Sequence, residues 1–182
     1  MKVTTIGHVA LRVADMNKSL DFYVNCLGLK NKFEILNAEY ADNFMANMEN
    51  NMTQAEGYDL SEEQMQEVLN DYLKHFNENR DGIMLAYIEI APNQFLELFP
   101  TSEAEPNDRG WRDPNKYGYY HFSLIVDDIH ELRERLLAHH VKILQDASMG
   151  MENSWQLWAM DPDGNPIEFM QYTKDSWQLT GR

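Results

Sequence analysis

The sequence is poor in cysteine, in positive charge and in long apolar runs. Cys26 is the single cysteine among 182 residues, so no intrachain disulfide can form and the fold must rest on its core. Lys and Arg number 15 against 30 Asp and Glu, for a formal net charge of −15. Nucleic acid and anionic membrane surfaces reward basic patches that such a chain does not supply, so neither is expected as a partner. No stretch approaches the roughly 20 apolar residues of a membrane span. The start MKVTTIGHVALRV lacks the unbroken apolar run of a secretory signal. A cytoplasmic protein is expected. The hydrophobic fraction, 43%, is by contrast ample for a core and argues against disorder.

What the chain does have is a repeat. Aligning His8 with His121 runs without a gap through HVALRVADMNKSLDFYVNCLGLK and HFSLIVDDIHELRERLLAHHVKI. Both copies open with strand-like alternation. His8, Ala10 and Arg12 share one face in the first, and His121 and Ser123 share one in the second. Asp15 and Asp128 then occupy helix N-cap positions, and Glu131 completes a capping-box pattern with Asp128. Leu20, Val24 and Leu27 form the expected apolar stripe of the first helix, with Gly28 at its C′ position. Ile129, Leu132 and Leu136 form the stripe of the second.

Each copy also closes alike. MLAYIEIAPNQFLELFP predicts two strands joined at Pro92-Asn93, and WQLWAMDPDGNPIEFMQY two strands joined by an Asp-Pro-Asp-Gly turn. The expected fold is therefore α+β, built of two βαβββ modules. The first spans 1–100, a linker 101–118, the second module 119–173, and a tail 174–182. The interval from His8 to Glu97 is much longer than that from His121 to Glu168, and the surplus falls at about 38–81. Within this insert, LSEEQMQEVLNDYLKHFN predicts an amphipathic helix. Ser61 and Gln64 suit a capping box, and Met65, Val68, Leu69, Tyr72 and Phe76 make its apolar stripe.

Each module thus supplies a histidine on its first strand and one acid, Glu97 or Glu168, in the apolar run of its last. Glu97 shares a face with Phe95 and Phe99, and Glu168 with Met170, where an unpartnered carboxylate would be costly. Two imidazoles and two carboxylates form a mixed N/O donor set suited to a divalent first-row metal. Other residues read as structural. His139 and His140 end the second helix, where a cation suits the dipole. His75 and His130 lie on helix surfaces, and Cys26 is expected to be buried and inert. The Met-rich segment at 45–52 reads as packing. Trp155 and Trp158 fall on opposite faces of one strand.

The segments GHVALRVADMNKSLDFYVNCLGL, QFLELF, YHFSLIVDDI and DPDGNPIEFMQ resemble the vicinal oxygen chelate superfamily, the glyoxalase, bleomycin resistance and dioxygenase family. Most closely they resemble its glyoxalase I (lactoylglutathione lyase) type. The resemblance covers the chain outside the insert. It implies a cupped, largely antiparallel sheet whose concave face holds one divalent metal, with His8, Glu97, His121 and Glu168 as ligands. It implies that substrate oxygens chelate the metal, that an enediolate forms, and that a glutamate serves as base, Glu168 first and Glu97 second. Histidine at the first ligand position matches the nickel- or cobalt-preferring type, with zinc or manganese as alternatives.

Arg12 matches the position of an arginine that binds the glutathione carboxylate. The asparagine expected four residues after Glu97 is replaced by Thr101, and the arginine of some members is replaced by Tyr117. The resemblance therefore implies a small α-hydroxycarbonyl or dicarbonyl-derived substrate, with a glutathione or other thiol adduct as one form of it. It further implies a homodimer, with the site either within one chain or across two. Alternatives within the superfamily are an epimerase, whose usual Gln at the position of Glu97 is absent here, and a metal-free drug-binding protein. A ring-cleaving dioxygenase takes a three-residue iron triad, which leaves no place for a fourth ligand.

Overall fold

The computed structural model describes residues 2–46, 62–101 and 119–181. It divides into two compact units. The first comprises Met1–Arg12 and Asn31–Pro100, and the second Val13–Lys30 and Thr101–Arg182. Each carries a four-stranded, open sheet. The strands are β1 (His8–Val13), β2 (Lys30–Leu36), β3 (Ile83–Ala91) and β4 (Gln94–Pro100), then β5 (Phe122–Ile125), β6 (Ile143–Met149), β7 (Ser154–Met160) and β8 (Pro166–Tyr172). The sheet orders are β1-β4-β3-β2 and β5-β8-β7-β6, so the two modules repeat one topology. In the second sheet β5 runs parallel to β8, while β7 runs antiparallel to both of its neighbours, β6 and β8. This is the βαβββ architecture the repeat predicts.

In the first unit the β3–β4 turn has Pro92 at its first corner and Asn93 at φ 61 at its second, the positive φ a type II turn requires. A bulge between Glu89 and Ala91 then shifts the register, so that Tyr87, and not Ile88, stands opposite Glu97. Alternation sorts the strands. Ala86, Ile88, Leu96 and Leu98 are fully buried on one face, and Tyr87, Phe95 and Glu97 lie on the other.

The insert between β2 and β3 contains α2 (Asn37–Ala46) and α3 (Glu62–Glu78). It is clasped at its base, where Asn37 N–H donates to Gly82 O and Asn37 Nδ2 to Asn79 O. Arg80 forks onto both Asp42 oxygens at 2.9 Å. Phe76, from the expected stripe, packs 4.9 Å from Tyr40, and Leu73 is buried. Ser61, the segment 47–52, the linker 102–118, and the side chains of Met65, Val68, Leu69 and Tyr72 lie outside the described residues.

In the second unit, α4 (Ile129–Ala138) starts where Asp128 accepts from the His130 and Glu131 N–H groups. Its buried Ile129, Leu132 and Leu136 lie over β6, β7 and β8. Leu157, Ala159, Ile167 and Phe169 face them, as alternation requires.

The segment Val13–Lys30 also belongs to this unit. Its helix α1 (Met16–Leu20) is capped by Asp15 and continues as a π-helical stretch, Asp21–Cys26, closed by Leu27 N–H donating to Phe22 O. The wide turn changes which residues point inward. Ser19, Phe22, Tyr23 and Cys26 are buried, whereas Leu20, Val24 and Leu27 are only half-buried. The expected α-helical stripe is thus rotated toward residues with polar tips, and the reason is their partners in the β7–β8 turn. Tyr23 Oη donates to Asp161 Oδ2 at 2.9 Å, and Ser19 Oγ to Asp163 Oδ2 at 3.3 Å. Gly28, at φ 74, ends the segment as the C′ glycine. A short α5 (Trp177–Thr180) follows β8.

Candidate functional site

The second unit builds one half of the candidate site. β5 enters the sheet beside β8, with Ser123 paired to Glu168, and His121 precedes it at the strand mouth. Its Nε2 lies 3.3 Å from Glu168 Oε2. Trp158 is the cross-strand neighbour of Glu168, and its ring meets the imidazole edge-to-face at 4.5 Å. Trp155, on the opposite face of β7, packs 4.9 Å from His130 of α4. The two tryptophans are divided between sheet faces as alternation requires.

The first unit builds a similar pair. His8 Nε2 on β1 lies 3.5 Å from Glu97 Oε2 on β4, and Tyr87 is the cross-strand neighbour of Glu97. Hydrogen bonding to Glu97, and then burial, pushes the Tyr87 phenol above its ordinary range. Phe33 stacks on Tyr87 at 4.4 Å, and Phe95 meets it edge-on at 5.7 Å. The half-sites differ in exposure. The His8 side chain is 54% exposed and that of His121 26%, while both carboxylates are largely covered. Arg12 shares the exposed face of β1 with His8. It makes no ion pair or hydrogen bond among the described residues.

Both pairs suit a cation chemically. Each pair offers a covered carboxylate oxygen beside an imidazole nitrogen, and among the described residues His121 Nδ1 is buried with no hydrogen-bond partner. Among the described residues, no three His, Cys, Asp or Glu side chains gather as a group able to hold a metal. The structure thus brings the four candidate ligands together two by two.

Tyr87 is the residue that sequence reasoning missed. Counting back from the Pro92-Asn93 turn places Ile88 opposite Glu97, and only the bulge substitutes Tyr87. Asp161 and Asp163 have structural roles in the DPDGN turn. Asp161 Oδ1 accepts from the backbone N–H groups of Asp163 and Asn165, and Asp163 Oδ1 accepts from Ala14 N–H. Burial is the main influence on the Asp161 carboxyl and pushes it above the usual range.

The sequence model of the Glyoxalase/Bleomycin resistance protein/Dioxygenase superfamily matches residues 5–169. The chain belongs to this superfamily. No curated protein matches the chain. Solved structures share the superfamily fold at low identity. A glyoxalase family protein from Enterococcus faecalis superposes with a TM-score of 0.58 at 17% identity, covering 93% of this chain and 99% of that one. A lactoylglutathione lyase from Agrobacterium tumefaciens gives 0.52 at 18% identity, covering 94% and 96%. A glyoxalase/dioxygenase from Nostoc punctiforme gives 0.52 at 20% identity, covering 93% and 92%. Superfamily members commonly bind a divalent metal, and the His–Glu pairs supply donors of the right kind. Among the described residues, no helix is long and apolar enough to cross a membrane.

Proposed function

We propose that this chain is a metal-dependent lyase or isomerase of glyoxalase I type. It would act through an enediolate on a small α-hydroxycarbonyl or dicarbonyl-derived substrate. One observation carries this reading: the same pairing of a first-strand histidine with a last-strand glutamate, at 3.5 Å and 3.3 Å, occurs in both units. A lone buried glutamate is an accident that burial penalises, and the same accident in both repeats points to a shared task. His8, Glu97, His121 and Glu168 would hold one divalent ion, nickel or cobalt first and zinc or manganese second.

Such an ion would polarise two neighbouring substrate oxygens and so acidify the adjacent C–H bond. Glu168 takes that proton and returns it to the neighbouring carbon, so the reaction is an internal proton transfer without an external oxidant. Glu97 is the second candidate for the base. The contact of Tyr87 with Glu97 supports the preference for Glu168, since it anchors Glu97 in place. Trp158 packs edge-to-face on the His121 ring and places an apolar surface beside it. Arg12, exposed and without a partner among the described residues, would take an anionic group of the substrate. A glutathione or other thiol adduct fits that group, although Thr101 stands where an asparagine contact would be expected. We take the working form to be a cytoplasmic homodimer of two-module chains, with first module 1–100 and second module 119–173.

The alternative reading is a metal-free small-molecule binding protein of the same fold. Metal content of protein purified without added metal separates the two. The experiment that tests the leading reading adds turnover of methylglyoxal, with and without glutathione. A stoichiometric divalent ion with turnover supports it. No metal, and no rescue by nickel, cobalt, zinc or manganese, refutes it.

A further inference from the structure

The second unit contains a cavity of about 600 Å³ between the π-helical segment, the end of α4 and the DPDGN turn. It is lined neither by His121 nor by Glu168. Its floor is apolar, made by Phe22, Val141, Met160 and Pro162, and its size falls within the range of small-molecule sites. Its rim collects Lys18, His139, His140 and Lys142. That is an unusual neighbourhood in a chain with twice as many acids as Lys and Arg.

Two acids also line the cavity, and both are engaged elsewhere. Asp161 accepts from the Tyr23 hydroxyl, the Asn165 side chain and two backbone N–H groups. Asp21 Oδ1 accepts from Asn25 Nδ2. Lys18 lies 3.4 Å from Asp15 and is partly neutralised by it. The Lys142, His139 and His140 side chains have no hydrogen-bond or ion-pair partner among the described residues.

Three of the last carbonyls of α4 have donors, which lessens the opposition of this helix end to an anion. His139 N–H donates to Arg135 O, His140 N–H to Leu137 O and Val141 N–H to Leu136 O. His140 sits at φ 56, at the helix-ending position where glycine is the ordinary choice. A side chain held there against its backbone preference places its imidazole on the cavity rim.

We propose that this cavity binds a small aromatic or short-chain carboxylate. The apolar body would lie on Phe22, Met160 and Pro162, and the carboxylate would meet Lys142, His139 and His140. The site is independent of the metal chemistry proposed above. An apolar body matches the floor, and one negative charge matches the Lys142 ammonium and the two imidazoles, which have no partner among the described residues.

The test is NMR titration of the full-length protein with benzoate and, in parallel, with neutral benzamide of the same shape. Saturable shifts at the amides of Phe22, Lys142 and Met160 are expected with benzoate, and much weaker ones with benzamide. Lys142→Glu should weaken benzoate binding about fivefold or more, the scale of reversing one exposed charge contact. Glu168→Gln should leave benzoate binding unchanged, so the two proposals can fail separately. Equal binding of benzamide overturns the proposal. So does unaltered affinity in Lys142→Glu, or shifts confined to the Trp158 and Glu168 face, or no saturable binding.

Discussion

The Tyr23 hydroxyl donates to Asp161 Oδ2 at 2.9 Å, joining residues 138 positions apart in one buried contact. Tyr23 is fully buried, and burial, followed by the neighbouring Asp161 carboxylate, pushes its phenol well above the ordinary range. The contact fixes the π-helical segment against the turn that leads into β8, the strand that carries Glu168.

Replacing this tyrosine tests its structural weight. Tyr23→Phe keeps the ring and removes one donor from a buried carboxylate. It should lower stability by about 1–3 kcal/mol, read as a reduced urea midpoint at unchanged slope. Metal content should be unaffected. A midpoint equal to that of the parent protein would show that water replaces the hydroxyl.

The base assignment is tested by paired amide substitutions. Glu168→Gln should retain the fold by circular dichroism and lose roughly 10²- to 10⁴-fold in turnover, the usual worth of a positioned general base. Glu97→Gln should act mainly through metal retention. Full activity in Glu168→Gln would refute its role.

Trp158 offers a direct optical readout, because its ring lies on His121. Nickel or cobalt bound at the histidine should quench tryptophan emission, and Trp158→Phe should abolish most of that quench. An undiminished quench in the variant would place the metal elsewhere.

A pH prediction comes from the surface pair on α4 and β6. Arg133 Nε and Nη2 bond both oxygens of Asp146, at 2.6 and 2.8 Å. Those bonds, with the Ala147 N–H, hold the Asp146 carboxyl down to about 2. The folded value lies below the unfolded one of about 3.9. The pair's contribution is therefore present above about pH 4 and is lost as pH falls toward 2. Side-chain carboxyl NMR should show that low value, and Arg133→Gln should raise Asp146 toward the ordinary carboxylate range, with the Ala147 N–H bond still in place. Because the pair is exposed, the thermal midpoint should move little.

Local patterns made much of the second unit readable from sequence. The DPDGN turn, counted outward, pairs Trp158 with Glu168, and the Asp128 cap and the Ile129, Leu132, Leu136 stripe are formed as the periodicity demands. Two features were not readable, for different reasons. The bulge near Glu89 is a register choice with no signature in composition, and it alone brings Tyr87 to Glu97. The π-helical turn depends on partners far along the chain: Tyr23 and Ser19 point inward because Asp161 and Asp163 receive them. At the candidate site the ligand types were legible because the repeat displays them twice. Their pairing distances depend on strand neighbours distant in sequence, which only the sheet topology reveals.

The second unit draws its first helix from Val13–Lys30 and its sheet from residues beyond 119. During synthesis that helix emerges well before the DPDGN turn, so Tyr23 must wait for its acceptor, 138 positions further on. A nascent chain halted after the first module would leave Phe22, Tyr23 and Cys26 uncovered. Premature termination should therefore yield a chaperone client, whereas an intact N-terminal segment supplied in trans could complement the C-terminal fragment.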